Sequence, residues 1–370
     1  MDKQHSAIEI TRFLVRQNTI NPPGNEASAA AYLGRRLEDA GFRVTSYPLA
    51  AERACLVAEL DGFDNDRPLC FTGHLDTVPL GATAWSVDPF GGELADGRIY
   101  GRGSSDMKGG VAAIVEAAIR VAHRPGRRAL KLIFTAGEET GCEGAAHLAR
   151  SGVLGQAGAI LVAEPSSNRP LIGHRGVLWL QLDIAGRTAH GSMPHLGDNA
   201  VIKAAQAIAA LNEFEFDIAP HAHLGPPSLS VGYCHGGANI NSVPDHAEIG
   251  LDIRTTPGQS HDSICDRIVG QAGVPLTLKR LLDLQGVFTP AEDPWIQRVF
   301  KITAEVTGES MAPMTAPYFT DASILTVTLR NPPTIILGPG AMELAHQTDE
   351  YCDVERLRQS VELYERLASE

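Results

Sequence analysis

The sequence has little of what marks a nucleic-acid binder, a membrane protein or a disulfide-stapled secreted domain. Lysine and arginine total 31 against 44 aspartates and glutamates, a net charge of −13. A surface of that sign repels phosphate backbones and anionic membranes, although a small anionic substrate needs only one or two local arginines. Nowhere does an uninterrupted apolar run reach the roughly 18 residues that suggest a spanning helix. Met1–His5 lack the apolar core of an export signal. The six cysteines (55, 70, 142, 234, 265 and 352) are scattered with no C-x-x-C pair, as expected for reduced, mostly buried thiols in a cytoplasmic protein. Phosphate-binding G-x-G-x-x-G and G-x-x-x-x-G-K-[ST] loops are missing, as are the G-x-S-x-G elbow of serine hydrolases and the H-E-x-x-H helix of single-zinc proteases. Internal repeats and low-complexity tracts are lacking too.

What is there reads as a soluble globular chain. At 370 residues, 44% apolar and 20% charged, it is long enough for two domains. Helical spacing of apolar side chains covers 6–16 and 26–40, and short apolar runs at 42–47, 55–60 and 69–74 read as strands. A turn-rich passage from 85 to 103 leads into an alanine-rich helix over 108–123. Strands at 130–135 and 159–162 flank a helix near 142–150. This alternation predicts an α/β catalytic domain with a central, mostly parallel sheet flanked by helices. Near residue 175 the texture changes to strands at 177–185, 228–233, 246–254 and 275–281, with helices at 199–213 and 260–269. That pattern predicts an inserted α+β two-layer sandwich over 176–288, splitting a catalytic domain formed by 1–175 and 289–370. Beyond it lie helices at 294–306 and 354–368 and a strand at 334–337.

Five acidic or histidine clusters carry the chemistry. Gly73-His74-Leu75-Asp76 ends a buried strand, and residues two apart on a strand share a face. Asp76 is therefore either a ligand or the partner that fixes the imidazole tautomer. Asp106, within Gly101-Arg102-Gly103-Ser104-Ser105-Asp106, precedes a helix and would serve equally as a plain N-cap. Glu138 and Glu139 follow an apolar strand, where adjacent carboxylates are costly unless a cation binds them; alone they would also fit a solvated acidic loop. Glu164 closes another apolar strand. His346 lies in Ala345-His346-Gln347-Thr348-Asp349-Glu350, after Gly338-Pro339-Gly340. Strand ends of one sheet converge on the crevice where α/β proteins bind ligands. Nitrogen and oxygen donors without thiolate suit two zinc-like ions sharing one carboxylate.

The motifs G-H-x-D-x-V-P, G-R-G-x-x-D-M-K-G, E-E-T-G, A-E-P-[ST] and A-H-Q-x-D-E-Y resemble the di-zinc amidohydrolase and peptidase family. That family includes acetylornithine deacetylase, succinyl-diaminopimelate desuccinylase, aminoacylase and glutamate carboxypeptidase. The likeness covers essentially the whole chain, and Trp85–Phe90, Leu337–Gly340 and Ala345–Tyr351 place it nearest the acetylornithine deacetylase branch. The resemblance implies that His74 and Glu164 hold one zinc, Glu139 and His346 the other, and that Asp106 bridges them. It makes Asp76 the orienter of His74 and Glu138 the general acid/base, and it allows cobalt or manganese on the same donors. The insert becomes a lid and dimerisation domain whose His190 reaches a partner subunit's site and stabilises an oxyanion. Arg175, Asn241, Arg254 and Gly338 fall at substrate-contacting positions, though a surface ion pair competes as the role of Arg254. The implied activity is hydrolysis of the amide of an N-acyl amino acid, most closely N-acetylornithine, by a cytoplasmic homodimer. A desuccinylase, a glutamate-type carboxypeptidase and a metal-binding relative without catalysis are the alternatives. His195, His221, His223, His235 and His246 have no assigned role and read as surface residues.

Overall fold

The computed structural model describes residues 6–369. Met1–His5, on which the sequence-based case against an export signal rests, and Glu370 lie outside the described residues. The first stretch contains α1 (Ala7–Arg16), α2 (Ala27–Asp39), β1 (Arg43–Ala50), β2 (Arg53–Leu60) and β3 (Leu69–His74). It continues through β4 (Glu93–Ala95), β5 (Arg98–Tyr100), α3 (Gly109–Val121), β6 (Leu130–Thr135), α4 (Glu143–Ser151), β7 (Ala159–Val162) and β8 (Leu171–His174). Then come β9 (Gly176–Ala185), α5 (Ala200–Leu211), β10 (Ser228–Gly236), β11 (His246–Thr255), α6 (His261–Gln271) and β12 (Thr277–Leu284). The chain returns through β13 (Val287–Phe288), α7 (Pro294–Thr307), β14 (Met314–Ala316), α8 (Ala322–Thr328), β15 (Thr334–Ile336), β16 (Tyr351–Asp353) and α9 (Val354–Ser369). Residues up to His174 together with those from Phe288 onward form one compact unit, and Arg175–Val287 form the second.

In the first unit the large sheet runs β1-β2-β6-β3-β7-β15-β8-β13, with β14 beside β8. Its centre is parallel, β6, β3, β7 and β15 all pointing the same way, while β1, β2 and β8 join antiparallel. This is the α/β class expected from the alternating elements, with antiparallel flanks. Strands β3, β6 and β7 are buried along their whole length, which explains their unbroken apolar runs. Helices α1, α3 and α9 share one core with them. Because the four central strands are parallel, their carboxyl ends, at His74, Thr135, Val162 and Ile336, line one edge. A small sheet, β16-β5-β4, pairs Tyr351 with Tyr100. It thereby sets the loop before β16 beside the loop after β5.

The second unit is an antiparallel sheet of order β10-β11-β9-β12 with α5 and α6 sharing its apolar core. Along β9, Leu178, Leu180, Leu182 and Ile184 are buried while Trp179 is exposed, the period-2 alternation of a sheet solvated on one face. Both helices begin at a side-chain cap, Asn199 accepting from the Ile202 N–H and Ser260 from the Ser263 N–H. Such caps stabilise by about 1 kcal/mol each.

Candidate metal centre

Strand β3 ends at His74, so Asp76 does not share its pleat. Instead His74 Nδ1 donates to the Asp76 backbone oxygen at 2.9 Å, with the Asp76 carboxylate 3.5 Å from the same nitrogen. That carboxylate is fully buried and accepts from Asn21 Nδ2 (3.0 Å) and from the N–H groups of Glu138 (3.1 Å) and Glu139 (3.2 Å). One aspartate thus fixes both the histidine and the loop carrying the two glutamates.

His74, Asp106, Glu139, Glu164 and His346 meet. His74 Nε2 lies 3.2 Å from Asp106 Oδ1 and 3.7 Å from Glu164 Oε1. His346 Nε2 lies 3.4 Å from Asp106 Oδ2 and 3.1 Å from Glu139 Oε2. Asp106 therefore turns one oxygen to each histidine. It is no N-cap: α3 starts behind Lys108 with no side-chain cap, and Asp106 itself is extended (φ −120°, ψ 94°). Two sets of side chains fall within ligating distance of a common point, His74–Asp106–Glu139 and His74–Glu138–Glu164. Glu138 is thus within a ligand's reach as well as a base's.

The electrostatics call for cations. Burial alone would depress the His74 imidazole, but Glu164, Asp106 and Asp76 push it well above its usual value. Hydrogen bonds donated to the carboxylates of Asp106 and Glu139 lift His346 to about 10. Glu138 is forced far above the carboxylate range, first by burial and then by repulsion from Glu164. Glu164 is raised chiefly by burial, and Glu139 by burial and Asp106. Four carboxylates converge on two imidazoles, and Glu139 Oε1 is buried with no hydrogen-bond partner. An unsatisfied buried carboxylate oxygen among hard and borderline donors is what a divalent ion would complete. The residues fit the group.

A cavity of about 290 Å³ opens on these side chains, lined also by Pro165, Tyr318, Phe319, Met342 and Ala345. Tyr318 donates its hydroxyl to the Pro165 carbonyl at 2.6 Å. Gly338 is a close-approach residue: a Cβ there would sit 2.2 Å from the Ala163 carbonyl oxygen, its N–H donates to Ser166 Oγ and its carbonyl accepts from the Asn168 N–H. The other predicted contacts belong to the inserted unit. His190 is exposed, its Nδ1 2.8 Å from Ser192 Oγ, and it pairs in backbone with Ser242, beside Asn241. Arg254 pairs with Asp252 on its own strand at 2.9 Å, and Arg175 donates to the Leu224 carbonyl at 2.8 Å. Of the histidines read as surface, His221 is half-buried, its ring accepting from the N–H groups of His223 and Leu224.

Sequence reasoning missed Asn21, Asp321, Tyr318 and the Arg102–Glu350 pair. Only Arg102 and Glu350 carried a signal, since both stand inside the motifs of Asp106 and His346.

Residues 70–370 match the model of peptidase family M20/M25/M40. An acetylornithine deacetylase of Photorhabdus laumondii is 30% identical over 364 residues, covering 94% of this chain and 92% of its own. One of Vibrio campbellii is 27% identical over 98% of this chain and 97% of its own. Among solved structures, an M20 metallo-carboxypeptidase of Sulfolobus solfataricus superposes with a TM-score of 0.81 at 17% identity, covering 100% of this chain and 99% of its own. A dinuclear metal-binding M20 peptidase of Bacillus subtilis does so at 0.73 and 18%, covering 98% and 96%.

Proposed function

The chain belongs to peptidase family M20/M25/M40 and is a metal-dependent hydrolase, and on that premise we propose that it hydrolyses the amide bond of an N-acyl amino acid, most closely N-acetylornithine. The observation that carries the reading is the Asp106 carboxylate set between His74 and His346, with Glu164 beside the first and Glu139 beside the second. His74 and Glu164 would hold one zinc ion and His346 and Glu139 the other, with Asp106 shared; cobalt or manganese suits the same donors. Such ions supply Lewis acidity and a bound water of lowered pKa.

The residues of the chain do the rest. Glu138 takes the proton from the attacking water and returns it to the leaving amine, yielding a carboxylic acid and a free amine. Asp76 orients His74. Tyr318, Phe319 and Met342 narrow the cavity against bulk water. His190, from the inserted lid and dimerisation domain (176–288), would donate to the oxyanion across a homodimer, and Asn241, Arg254, Arg175 and Gly338 would contact the substrate. The protein works in the cytoplasm, as its reduced cysteines suggest.

The test pairs metal content with a panel of N-acetylornithine, other N-acetyl amino acids, N-succinyl-diaminopimelate and a dipeptide. Two ions per chain and turnover confined to N-acetyl amino acids are expected. Glu138→Gln should keep both ions and lose roughly 10²–10⁴-fold in kcat. Loss of an ion in that variant would make Glu138 a ligand and not the base.

A further inference from the structure

Glu350 is completely buried, and its carboxylate is spent on one segment. Oε2 accepts from Arg102 Nη1 (2.7 Å) and the Gly103 N–H (2.9 Å), and Oε1 from the N–H groups of Ser105 (2.8 Å) and Asp106 (3.0 Å). The Arg102 guanidinium, equally buried, then reaches back to the segment that carries Glu350. It donates to the carbonyls of Gln347 (3.2 Å) and His346 (3.4 Å), and to that of Pro79 (3.2 Å). The Gly101 N–H closes the ring on the Glu350 carbonyl at 2.9 Å. Each member of the pair is thus anchored in one ligand loop and bonded to the other.

The two ligands concerned need such a brace. His346 is 52% exposed on its side chain and sits at φ 64°, a conformation unfavourable for a residue with a Cβ, so packing does not hold it. Asp106 stands at a break just before α3, with extended dihedrals (φ −120°, ψ 94°) inside an otherwise helical turn. Neither Arg102 nor Glu350 lines the cavity, so neither touches substrate.

We propose that the buried Arg102–Glu350 pair is a positioning device that sets the shared ligand Asp106 and the exposed ligand His346 against each other, and so governs how tightly the ion beside His346 is held. The inference rests on the reading of the site as a two-metal centre. Partners behind metal ligands typically change affinity by 10- to 100-fold when lost. Glu350→Gln turns an amide toward N–H groups that need acceptors. Arg102→Lys keeps the charge but has no planar fork to bond Glu350 and three carbonyls together.

The experiment titrates the metal-free wild type and both variants with Co²⁺ alone, following the visible spectrum and heat of binding, with apo-protein melting as a fold control. In the wild type two binding events are expected. In both variants at least one of the two binding events should lose at least tenfold in affinity, with an altered Co²⁺ spectrum. Two wild-type-like events in folded variants, with only the apo melting temperature lowered, would overturn the proposal and leave the pair a structural ion pair. If Glu350→Gln fails to fold, Arg102→Lys alone decides. Absence of Co²⁺ binding by the wild type would instead strike the two-metal reading itself.

Discussion

Asp321 shows what a single buried carboxyl beneath the site does. It is 2% exposed, accepts from the Thr135 hydroxyl at the end of β6, and its Oδ1 has no hydrogen-bond partner. Burial raises its pKa to about 6, outweighing the Thr135 bond and the pull of His74. The folded carboxyl keeps its proton up to about pH 6, whereas the unfolded one releases it near 4. The folded state therefore binds more protons across that window, and its stability falls as pH rises. At about 1.4 kcal/mol per pKa unit, the contribution is roughly 3 kcal/mol. In the presence of chelator, Asp321→Asn should gain about that much on the wild type between pH 4 and 7 in denaturant melts. A difference that stays flat across the window would show that Asp321 ionises normally. At this scale the sequence was legible where chemistry is costly: His74, Asp106, Glu139, Glu164 and His346 stand out because buried charges at strand ends need a reason. Asn21 and Asp321 were illegible because their work depends on partners 55 and 186 residues away, a distance that no local pattern encodes.

Among elements, the ends of α3 and β15 explain how Glu164 is aimed. The Ala163 carbonyl, one residue before Glu164, is clasped by two glycines: a Cβ at Gly110 would lie 2.1 Å from it and one at Gly338 2.2 Å. In an open helix, alanine beats glycine by up to about 1 kcal/mol, and Gly270 in α6, with nothing within 4 Å of its would-be Cβ, is such a place. Gly270→Ala should therefore raise the melting temperature slightly. Gly110→Ala should do the reverse, costing roughly 1–3 kcal/mol by overpacking and weakening metal binding through displaced Glu164. Equal effects of the two substitutions would remove the close-approach argument. Elements with strong periodicity were readable from the sequence to within a few residues, as α3 and α9 show. The strand β8, four residues long, and the helix α8, seven residues long, went unforeseen, whereas the equally short β7 was legible as an unbroken apolar run before Glu164. The antiparallel flanks β1, β2 and β8 are set by pairing partners, which composition does not reveal.

The whole molecule consists of two units with separate cores, and the site's proposed residues are divided between them. All five candidate ligands lie in the first, and His190, Asn241, Arg175 and Arg254 in the second. The change of texture near residue 175 was visible because antiparallel, half-solvated strands alternate and buried parallel ones do not. Whether the chain dimerises, and which copy of the insert would then serve which site, is invisible to texture, and both can be decided by complementation. If His190 of the partner subunit completes each site, Glu138→Gln and His190→Ala each abolish most activity alone, but their mixed dimer contains one site with an intact Glu138 and an intact His190. Random reassortment of equal amounts makes half the dimers mixed, and a two-fold dimer has two equivalent sites, so about a quarter of wild-type activity should return. The assay is co-expression or mixing through reversible dissociation, with kcat measured on the same N-acyl amino acid. If His190 instead served its own subunit, every site in the mixed dimer would carry one defect and the mixture would stay as inactive as its parents.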